Sequence, residues 1–371
     1  MPITRAAPRI KSSVSGALGK MSHLAILCVR NEGAFLLEWL AHHQAVGFDK
    51  FLIFSNDCQD GTDTMLDQLE KMGLVTHVRN EGPYDNGGIQ FTALKTAAKH
   101  KLTRKADWIL PLDVDEFVNI HCGDHTLPAL HAAIPDATAI TLTWRLFGAN
   151  GQVRYSPAPV LDTFTKAAPA IMHWPWRSAM FKTLYRNDGT YKKPGVHRPR
   201  DLNEKKKADA RWFDSNGEPL PEQFVNKRIF SNFSKDNYGL VQLNHYPLGA
   251  LESYVVKADR GRAVHSDHIL GLDYWVERNF NTNEDTSIQS LAAPRSEALQ
   301  AMLSDETLSN LHNSAVAWRK KQFETLMLKE PFRALFGRLL MTPPSQPVPR
   351  EAAQFMFHFA NRARRANKKK P

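Results

Sequence analysis

Three acidic residues follow a short apolar run that extends from Trp108 to Leu112. The run predicts a buried strand, and Asp113, Asp115 and Glu116 come directly after it. Because side chains alternate along extended backbone, Asp113 and Asp115 are expected on the same side. Two carboxylates so placed repel each other unless a cation lies nearby, and Mg²⁺ bound by carboxylates typically keeps positions open for substrate phosphates. The pattern therefore indicates a divalent-cation site, with an ordinary acidic turn as the alternative.

Strand and helix patterns alternate upstream of the acids. Strands are predicted at His23–Val29, Lys50–Ser55 and Leu74–Val78, and helices at Gly33–Val46, after Thr62 to about Met72, and at Gly87–His100. This alternation predicts a mostly parallel sheet covered by helices, and ligands of such sheets bind outside the carboxyl ends of the strands. Polar side chains that follow the strands should therefore converge on one crevice: Arg30, Asn31, Glu32, Asn56, Asp57, Asp113, Asp115 and Glu116.

The chain changes character after the acids. Residues 150–200 carry many prolines together with aromatic and basic side chains, which predicts a long irregular loop. A long loop within a compact domain is usually functional or disordered, and tryptophans favour burial or contact with a ligand. Regular elements are predicted around this loop: a helix at Thr126–Ala133, strands at Thr138–Phe147 and Leu240–Leu243, a helix at Gly249–Val264, and helices to about Leu340.

The composition is that of a globular protein with a basic excess. A hydrophobic content of 42% over 371 residues is enough for one large domain or two ordinary ones. Three widely separated cysteines argue against a disulfide scaffold and favour a reducing compartment. The net charge of +10 favours acidic partners such as phosphates, nucleic acid or an anionic membrane. No stretch has the length of a membrane span or the apolar core of a secretory signal.

We predict four regions along the chain. They are a basic, disordered leader at 1–21, an α/β domain at 22–265, a helical extension at 266–341, and a Pro-rich linker with a basic tail at 342–371. Such a tail is usually a solvated end. Because Phe355, Phe357 and Phe359 precede its basic residues, a weak contact with an anionic membrane surface is the second interpretation.

Three segments, each placed after a predicted element, together resemble a known family. They are CVRNE after the first strand, SNDCQDGT after the second and WILPLDVDEF after the third helix. They resemble GT-A-fold glycosyltransferases of the family 2 and family 92 type, and HYPLGALESYVVKADRG from His245 onward is similar to the same group. The resemblance covers roughly residues 24–262. It implies a GT-A-like, Rossmann-like fold with a donor half at 22–120 and an acceptor half at 121–265.

The resemblance implies a nucleotide-sugar donor, with UDP-sugars the commonest case. Asp113 and Asp115 would then hold Mn²⁺ or Mg²⁺, and the cation would neutralise charge on the departing nucleoside diphosphate. His245 is the candidate that completes the metal shell, and His197 is its rival. The side chains expected to bind the donor are Arg30, Asn31, Glu32, Asn56, Asp57, Gln90, Lys95, Asp113, Lys257 and Arg260.

A direct displacement needs a general base near the acceptor hydroxyl. The Glu-Asp pair of many family 2 enzymes is missing here, which leaves Asp162 and Glu116 as catalytic candidates and the stereochemistry open. Glu116 is better suited to holding the metal-binding carboxylates in place than to acting as the general base. Trp144, Trp174 and Trp176 are candidates for an acceptor platform, because the apolar face of a sugar packs on an aromatic ring. Core packing is the alternative for each tryptophan.

These expectations describe a metal-dependent glycosyltransferase of the bacterial cytoplasm, peripheral on the inner membrane face. Its acceptor would be a glycan or a lipid-linked molecule in surface polysaccharide assembly. Nucleotidyl transfer on the same type of fold is an alternative, although CVRNEG is a poor match to a phosphate-binding loop. A basic nucleic-acid-binding protein is a third. No nucleic-acid partner is expected, because no recognised binding motif is present and the acids would remain unexplained.

Overall fold

The computed structural model describes residues 21–82, 84, 88–260 and 270–367. Residues 1–20 of the leader predicted at 1–21, the predicted boundary at 265 and the terminal lysines 368–370 lie outside these residues. The first half contains β1 (His23–Val29), α1 (Gly33–Val46), β2 (Lys50–Ser55), α2 (Thr62–Lys71), β3 (Thr76–Arg79), α3 (Ile89–Lys99), α4 (Lys101–Lys105), β4 (Trp108–Leu112), β5 (Glu116–Ile120), α5 (Leu127–Ala133), β6 (Ala139–Leu146), α6 (Val160–Thr163) and β7 (Lys166–Ala167).

The second half begins with strands and ends in helices. It contains β8 (Phe181–Arg186), β9 (Tyr191–Lys193), β10 (Arg200–Leu202), β11 (Trp212–Phe213), α7 (Glu222–Asn226), β12 (Val241–His245), α8 (Leu251–Arg260), α9 (Leu272–Val276), β13 (Asn283–Glu284), α10 (Ala292–Leu303), α11 (Glu306–Met327), α12 (Glu330–Met341) and α13 (Arg350–Asn367). None of the helices in the described ranges is long and apolar enough to cross a membrane.

A central sheet organises the molecule. Its strand order is β3-β2-β1-β4-β8-β6-β12-β5, and β11 pairs with β6. The first four strands in this order are parallel to one another, β8 runs antiparallel to β4 and β6, and β12 runs parallel to β6 and antiparallel to β5. The predicted architecture is confirmed: an α/β fold with a mostly parallel central sheet flanked by helices and a helical C-terminal extension.

Helices cover both faces of this sheet, and the apolar strand β1 is therefore buried on both sides. Ala25 and Leu27 pack with α1, while Leu24 and Ile26 pack with α3. α1 ends at Gly47, whose φ of 113° lies in the left-handed region that favours glycine. At its start a Cβ on Gly33 would lie 2.8 Å from the Cβ of Ala315, so a glycine lets α11 approach closely. The helical extension is therefore packed directly on the sheet-covering layer.

The structure corrects the predicted loop at 150–200. This segment contains β8, which lies in the middle of the sheet between β4 and β6. Three smaller differences concern element ends: the third strand is Thr76–Arg79 rather than Leu74–Val78, α3 starts at Ile89, and α8 spans Leu251–Arg260, with 261–264 outside the described residues. The predicted tail forms the helix α13 up to Asn367.

Candidate active site

A cleft opens where the parallel strands β1, β2 and β4 end. Val29 pairs with Ser55 and Leu27 pairs with Leu112, so the three chains leave the sheet at the same edge. We call this opening, of about 1110 Å³, the strand-end cleft. Polar side chains that line it include Arg30, Glu32, Asn56, Gln90, Asp113, Asp115, His197, His245, Lys257, Arg260, Tyr274 and Arg278. Of the eight polar residues predicted to converge on one crevice, Arg30, Glu32, Asn56, Asp113 and Asp115 line this cleft, whereas Asn31, Asp57 and Glu116 do not.

Asp113 is held by two neighbours inside this cleft. Its Oδ1 accepts a hydrogen bond from Gln90 Nε2 at 2.8 Å, which comes from α3. Its Oδ2 accepts one from Lys182 Nζ at 2.9 Å, which comes from β8. Both carboxylate oxygens are therefore engaged by protein donors, and the orientation of Asp113 is fixed from both sides of β4.

Glu116 lies beneath the acids and is 0% exposed. Its Oε1 accepts a hydrogen bond from Trp144 Nε1 at 2.6 Å, and its Oε2 accepts one from the backbone N–H of Asp113 at 2.8 Å. Burial raises the pKa of Glu116, whereas the ammonium of Lys182, 3.3 Å away, lowers it. With both oxygens occupied by the fold, Glu116 positions the acidic turn and does not reach into the strand-end cleft.

Lys182 was not predicted as a site residue, and neither were Tyr274 and Arg278, which line the strand-end cleft. Lys182 is fully buried and bridges Asp113 and Glu116. Burial opposes its charge, but the two carboxylates hold its pKa above the usual value. The signal was present in the six residues FKTLYR, which are rich in β-branched and aromatic side chains and predict a strand.

Asp115 faces the cleft beside a lysine and a histidine. Its Oδ2 accepts a hydrogen bond from Lys257 Nζ at 2.7 Å, and its Oδ1 lies 3.8 Å from His245 Nε2. Burial would raise the pKa of Asp115, yet Lys257 and then His245 hold it well below its usual range. Lys257 also donates to the Pro247 carbonyl at 2.8 Å, so α8 brings a fixed cation to the second acid.

The two candidate histidines line the same cleft on either side of the Trp144 ring. The ring centroid of Trp144 lies 4.3 Å from that of His245 and 5.6 Å from that of His197. Burial lowers the pKa of His245 to about 3 and that of His197 to about 4, so both imidazoles are neutral at physiological pH. His197 donates from Nδ1 to the Phe181 carbonyl at 3.1 Å, which leaves Nε2 as an acceptor.

The donor set fits a divalent cation that is shared with a substrate. Asp115 Oδ1 and His245 Nε2 face each other without a hydrogen bond, and a neutral imidazole is the form that binds metal. Asp113 contributes less, because both of its oxygens are already engaged. Within the described residues no group of three or more His, Cys, Asp or Glu side chains could hold a metal alone. Magnesium commonly uses one or two carboxylates together with substrate phosphates.

Cations outnumber acids along the wall of the strand-end cleft. Arg30, Lys257, Arg260 and Arg278 line it, against Glu32, Asp113 and Asp115. Arg260 donates from Nη1 to the Arg30 carbonyl at 2.9 Å and to Glu32 Oε1, so α8 is tied to the β1–α1 turn. The excess of positive charge suits an anionic ligand such as a diphosphate.

Four other predicted donor residues lie at or beyond the margin of the cleft. The amide nitrogen of Asn56 donates to the Val29 carbonyl at 2.9 Å, which braces the strand ends. Asn31 accepts a hydrogen bond from the Gln59 backbone at 2.7 Å, and Asp57 accepts one from the Tyr84 hydroxyl at 2.7 Å. Lys95 is exposed on α3 and is not among the residues lining the cleft. The hydrogen bonds of Asn56, Asn31 and Asp57 thus join the segments around the cleft.

The three candidate tryptophans do not form one surface. Trp144 lies on the floor of the strand-end cleft and is bonded to Glu116. The ring centroids of Trp174 and Trp176 are 6.0 Å apart, and the ring centroid of Trp174 lies 6.2 Å from that of Phe357 in α13. Neither lines the strand-end cleft, so the structure does not bring an acceptor platform together from these residues.

Asp162 lies on the outside of the molecule. Its side chain is 52% exposed and accepts hydrogen bonds from Arg295 at 2.9 Å and Gln289 at 3.0 Å. We expect Asp162→Asn to change turnover by less than about twofold, because a surface substitution of this kind removes no group from the cleft. Steady-state kinetics on the purified variant provide the check, and a loss of two orders of magnitude would restore Asp162 as the general base.

The stretch that supplies Asp113, Asp115 and Lys182 also matches a family model. Residues 25–208 match glycosyltransferase family 92. This confirms the family 92 part of the resemblance, and the match contains the acidic turn, α3 and β8. Because α8 lies beyond residue 208, the side chains of Lys257 and Arg260 come from outside the family 92 match.

Curated relatives and a solved structure show further similarity. A glycosyltransferase family 92 protein of Ricinus communis is 28% identical over 112 residues, which are 29% of this chain and 19% of that protein. One of Oryza sativa subsp. japonica is 21% identical over 153 residues, or 39% of this chain and 25% of that protein. S. aureus TarS 1–349 in complex with UDP-GlcNAc is 14% identical, with coverage of 85% of this chain and 84% of that chain and a TM-score of 0.32.

The chain therefore spans about a fifth to a quarter of the length of the curated relatives that it matches. The family 92 match and these relatives support a glycosyltransferase.

Proposed function

We propose that the chain is a metal-dependent glycosyltransferase that moves a sugar from a nucleotide-sugar donor to a glycan or glycoconjugate acceptor. One observation carries the proposal. Two acids at a strand end face a cleft with excess positive charge, within the segment that matches family 92. A nucleoside diphosphate is the anionic leaving group that such a cleft suits, and a UDP-sugar is the expected donor.

The chain's own groups divide into those that bind the donor and those that position the acids. Lys257, Arg260 and Arg30 line the cleft and would contact the anionic diphosphate. Gln90 and Lys182 hold Asp113, while Glu116 holds the turn between the acids through the Asp113 backbone. Mn²⁺ or Mg²⁺, held by Asp115 and His245 with His197 as the rival imidazole, would supply a Lewis acid for the charge on the leaving diphosphate.

A donor-hydrolysis assay tests this proposal without knowledge of the acceptor. UDP-glucose, UDP-galactose, UDP-GlcNAc and GDP-mannose would each be incubated with the protein and Mn²⁺, and nucleoside diphosphate release would be measured. We expect release from at least one donor, its loss with EDTA, and its return with added Mn²⁺. Release that is unchanged by EDTA would contradict the metal, and the absence of release from every donor would contradict the donor class as stated.

The proposed setting is surface polysaccharide assembly on the cytoplasmic membrane face, and it depends on α13. Phe357 contacts Trp174 and Phe233, whereas Phe355 and Phe359 are 67% and 51% exposed on the outward side. Arg362 lies over the Phe359 ring at 5.8 Å. Exposed aromatic residues beside arginines are typical of a helix that lies on an anionic membrane surface.

We expect the double substitution Phe355→Ser and Phe359→Ser to reduce binding to vesicles of phosphatidylglycerol and phosphatidylcholine by about tenfold or more. Each phenylalanine that enters a membrane contributes about 1.5–3 kcal/mol when fully buried. Co-sedimentation would measure the bound fraction, with phosphatidylcholine vesicles as the uncharged reference. Leu328→Ser is the control, because Leu328 is an exposed apolar residue, 81% exposed directly after α11, and lies outside α13. Equal binding of the double variant and the parent would contradict membrane contact through α13.

A further inference from the structure

A second cleft adjoins the first on the far side of Asp115. We call this opening, of about 1200 Å³, the side cleft. The two clefts share Val114 and five charged residues, Arg30, Glu32, Asp115, Lys257 and Arg260. Four of the charged residues form two ion pairs, Asp115 with Lys257 and Glu32 with Arg260, and we call the shared residues the common wall. The side cleft and the strand-end cleft therefore adjoin at these side chains.

The side cleft is lined by aromatic rings from several elements. Its aromatic residues are Phe35, Phe117, Tyr155, Phe164, Tyr246 and Trp318. These residues are separated by up to hundreds of positions in sequence and meet only in the fold, so no local sequence pattern identifies them as a group. Flat apolar surfaces of this kind pack against the faces of sugar rings.

A buried guanidinium lies among these rings. Arg319 of α11 is 7% exposed, and its guanidinium carbon lies 4.5 Å from the ring centroid of Phe35 and 5.6 Å from that of Tyr155. Its Nε and Nη2 donate to the hydroxyl and carbonyl of Ser253 at 3.4 and 3.1 Å. Among the residues that the structure describes, Arg319 forms no ion pair within 4.0 Å. Burial lowers the pKa of Arg319, although Glu32 and Asp60 favour its charge from beyond ion-pair distance. A buried charge is costly, and an anionic ligand in contact with the guanidinium would offset that cost.

Two further unsatisfied donors line the same cleft. The Tyr155 hydroxyl and the Arg30 Nε are buried and have no hydrogen-bond partner in the described part of the chain. Arg154 lies exposed at the rim beside Tyr155. Glu32 and Asp115 are already paired with cations, and the third acid that lines the side cleft, Asp259, is exposed and accepts a hydrogen bond from Gln322 at 3.1 Å. Five cations line the side cleft against these three acids: Arg30, Arg154, Lys257, Arg260 and Arg319.

We infer that the side cleft binds the acceptor, and that this acceptor is an anionic glycan whose carboxylate or phosphate group pairs with Arg319. The inference rests on the proposed function and deepens it by naming the acceptor class. The sugar ring lies against Phe35 and Tyr155, the anion meets Arg319, and the accepting hydroxyl is directed toward Asp115, which lines both clefts.

Binding of three small sugars to the full chain tests this inference. Ligand-observed NMR would follow the titration of the protein with methyl β-glucuronide, glucose 6-phosphate and methyl β-glucoside. The same protein samples would also be titrated with UDP and Mn²⁺. We expect at least one charged sugar to bind about tenfold more tightly than methyl β-glucoside, and Arg319→Gln to remove that preference. The two charged sugars distinguish a carboxylate from a phosphate. Arg319→Lys should retain part of the preference, and Arg186→Gln, at an exposed position on β8, should retain all of it.

Several outcomes would overturn the inference while leaving the donor site intact. They are equal binding of the neutral and charged sugars, an undiminished preference in Arg319→Gln, and no binding of any sugar to a protein that still binds UDP. Because Arg319 packs between two rings, its variant must show a thermal transition like that of the parent. If Arg319→Gln loses that transition, Tyr155→Phe is tested in its place, because it removes only the buried hydroxyl. Unchanged sugar affinities in Tyr155→Phe would then count against the inference. Charged sugars that bind when UDP does not would remove the acceptor role.

Discussion

Asp115→Asn should reduce donor turnover by about 10²–10³-fold or more, the range seen when one group that stabilises developing charge is removed. Asp115 Oδ1 is the carboxylate oxygen that faces His245 at 3.8 Å. Asparagine keeps the size of the side chain but removes the charge that a divalent cation requires. Release of nucleoside diphosphate at saturating Mn²⁺ is the measurement, with turnover and KM determined separately.

The comparison for this variant is Asp201→Asn. Asp201 is exposed and pairs with Lys193 at 2.9 Å, remote from the cleft lining. It should leave turnover unchanged. An Asp115→Asn protein with normal turnover and a normal thermal transition would show that the cation, if bound, is held by other residues.

Lys182→Met should lower the free energy of unfolding by about 3–5 kcal/mol, the usual cost of removing one partner of a buried ion pair. Methionine preserves the length of the side chain and its packing in β8. It leaves Asp113 and the fully buried Glu116 without the ammonium that bridges them at 2.9 and 3.3 Å. Urea denaturation followed by tryptophan fluorescence would measure the change.

A surface lysine provides the matched control. Lys193→Met removes the exposed pair with Asp201 and should change stability by no more than about 1 kcal/mol. Adding Glu116→Gln to Lys182→Met should recover part of the loss, because the amide removes one unpaired buried charge. If Lys182→Met and Lys193→Met were equally stable, the bridge between the two carboxylates would not be a structural element of the site.

Local sequence patterns predicted the first elements of the chain closely. β1, α1 and β2 have the predicted bounds, since each has an unambiguous apolar period and a clear stop, such as Gly47 after α1. The convergence of Arg30, Asp113 and Asp115 could also be predicted, because the carboxyl ends of parallel strands share one edge. These conclusions depend only on the order of elements along the chain.

Features that depend on distant pairing were not predicted. β8 enters the sheet antiparallel to its neighbours from within a Pro-rich segment, and Lys182 meets Asp113 across 69 positions of sequence. Arg319 reaches the side cleft from the helical extension, which no local pattern connects with Phe35 or Tyr155. The helical period predicts the face of the helix on which a residue lies. It does not predict which other element that face contacts.

Calorimetric titration of UDP into the protein tests the central claim most directly. The titration would be performed with Mn²⁺, with EDTA, and on Asp115→Asn, and GDP would serve as the second nucleotide. We predict heat of binding for UDP with Mn²⁺, its loss with EDTA, and its loss in the variant. If neither UDP nor GDP binds to protein with an intact thermal transition, the strand-end cleft is not a nucleotide-sugar site.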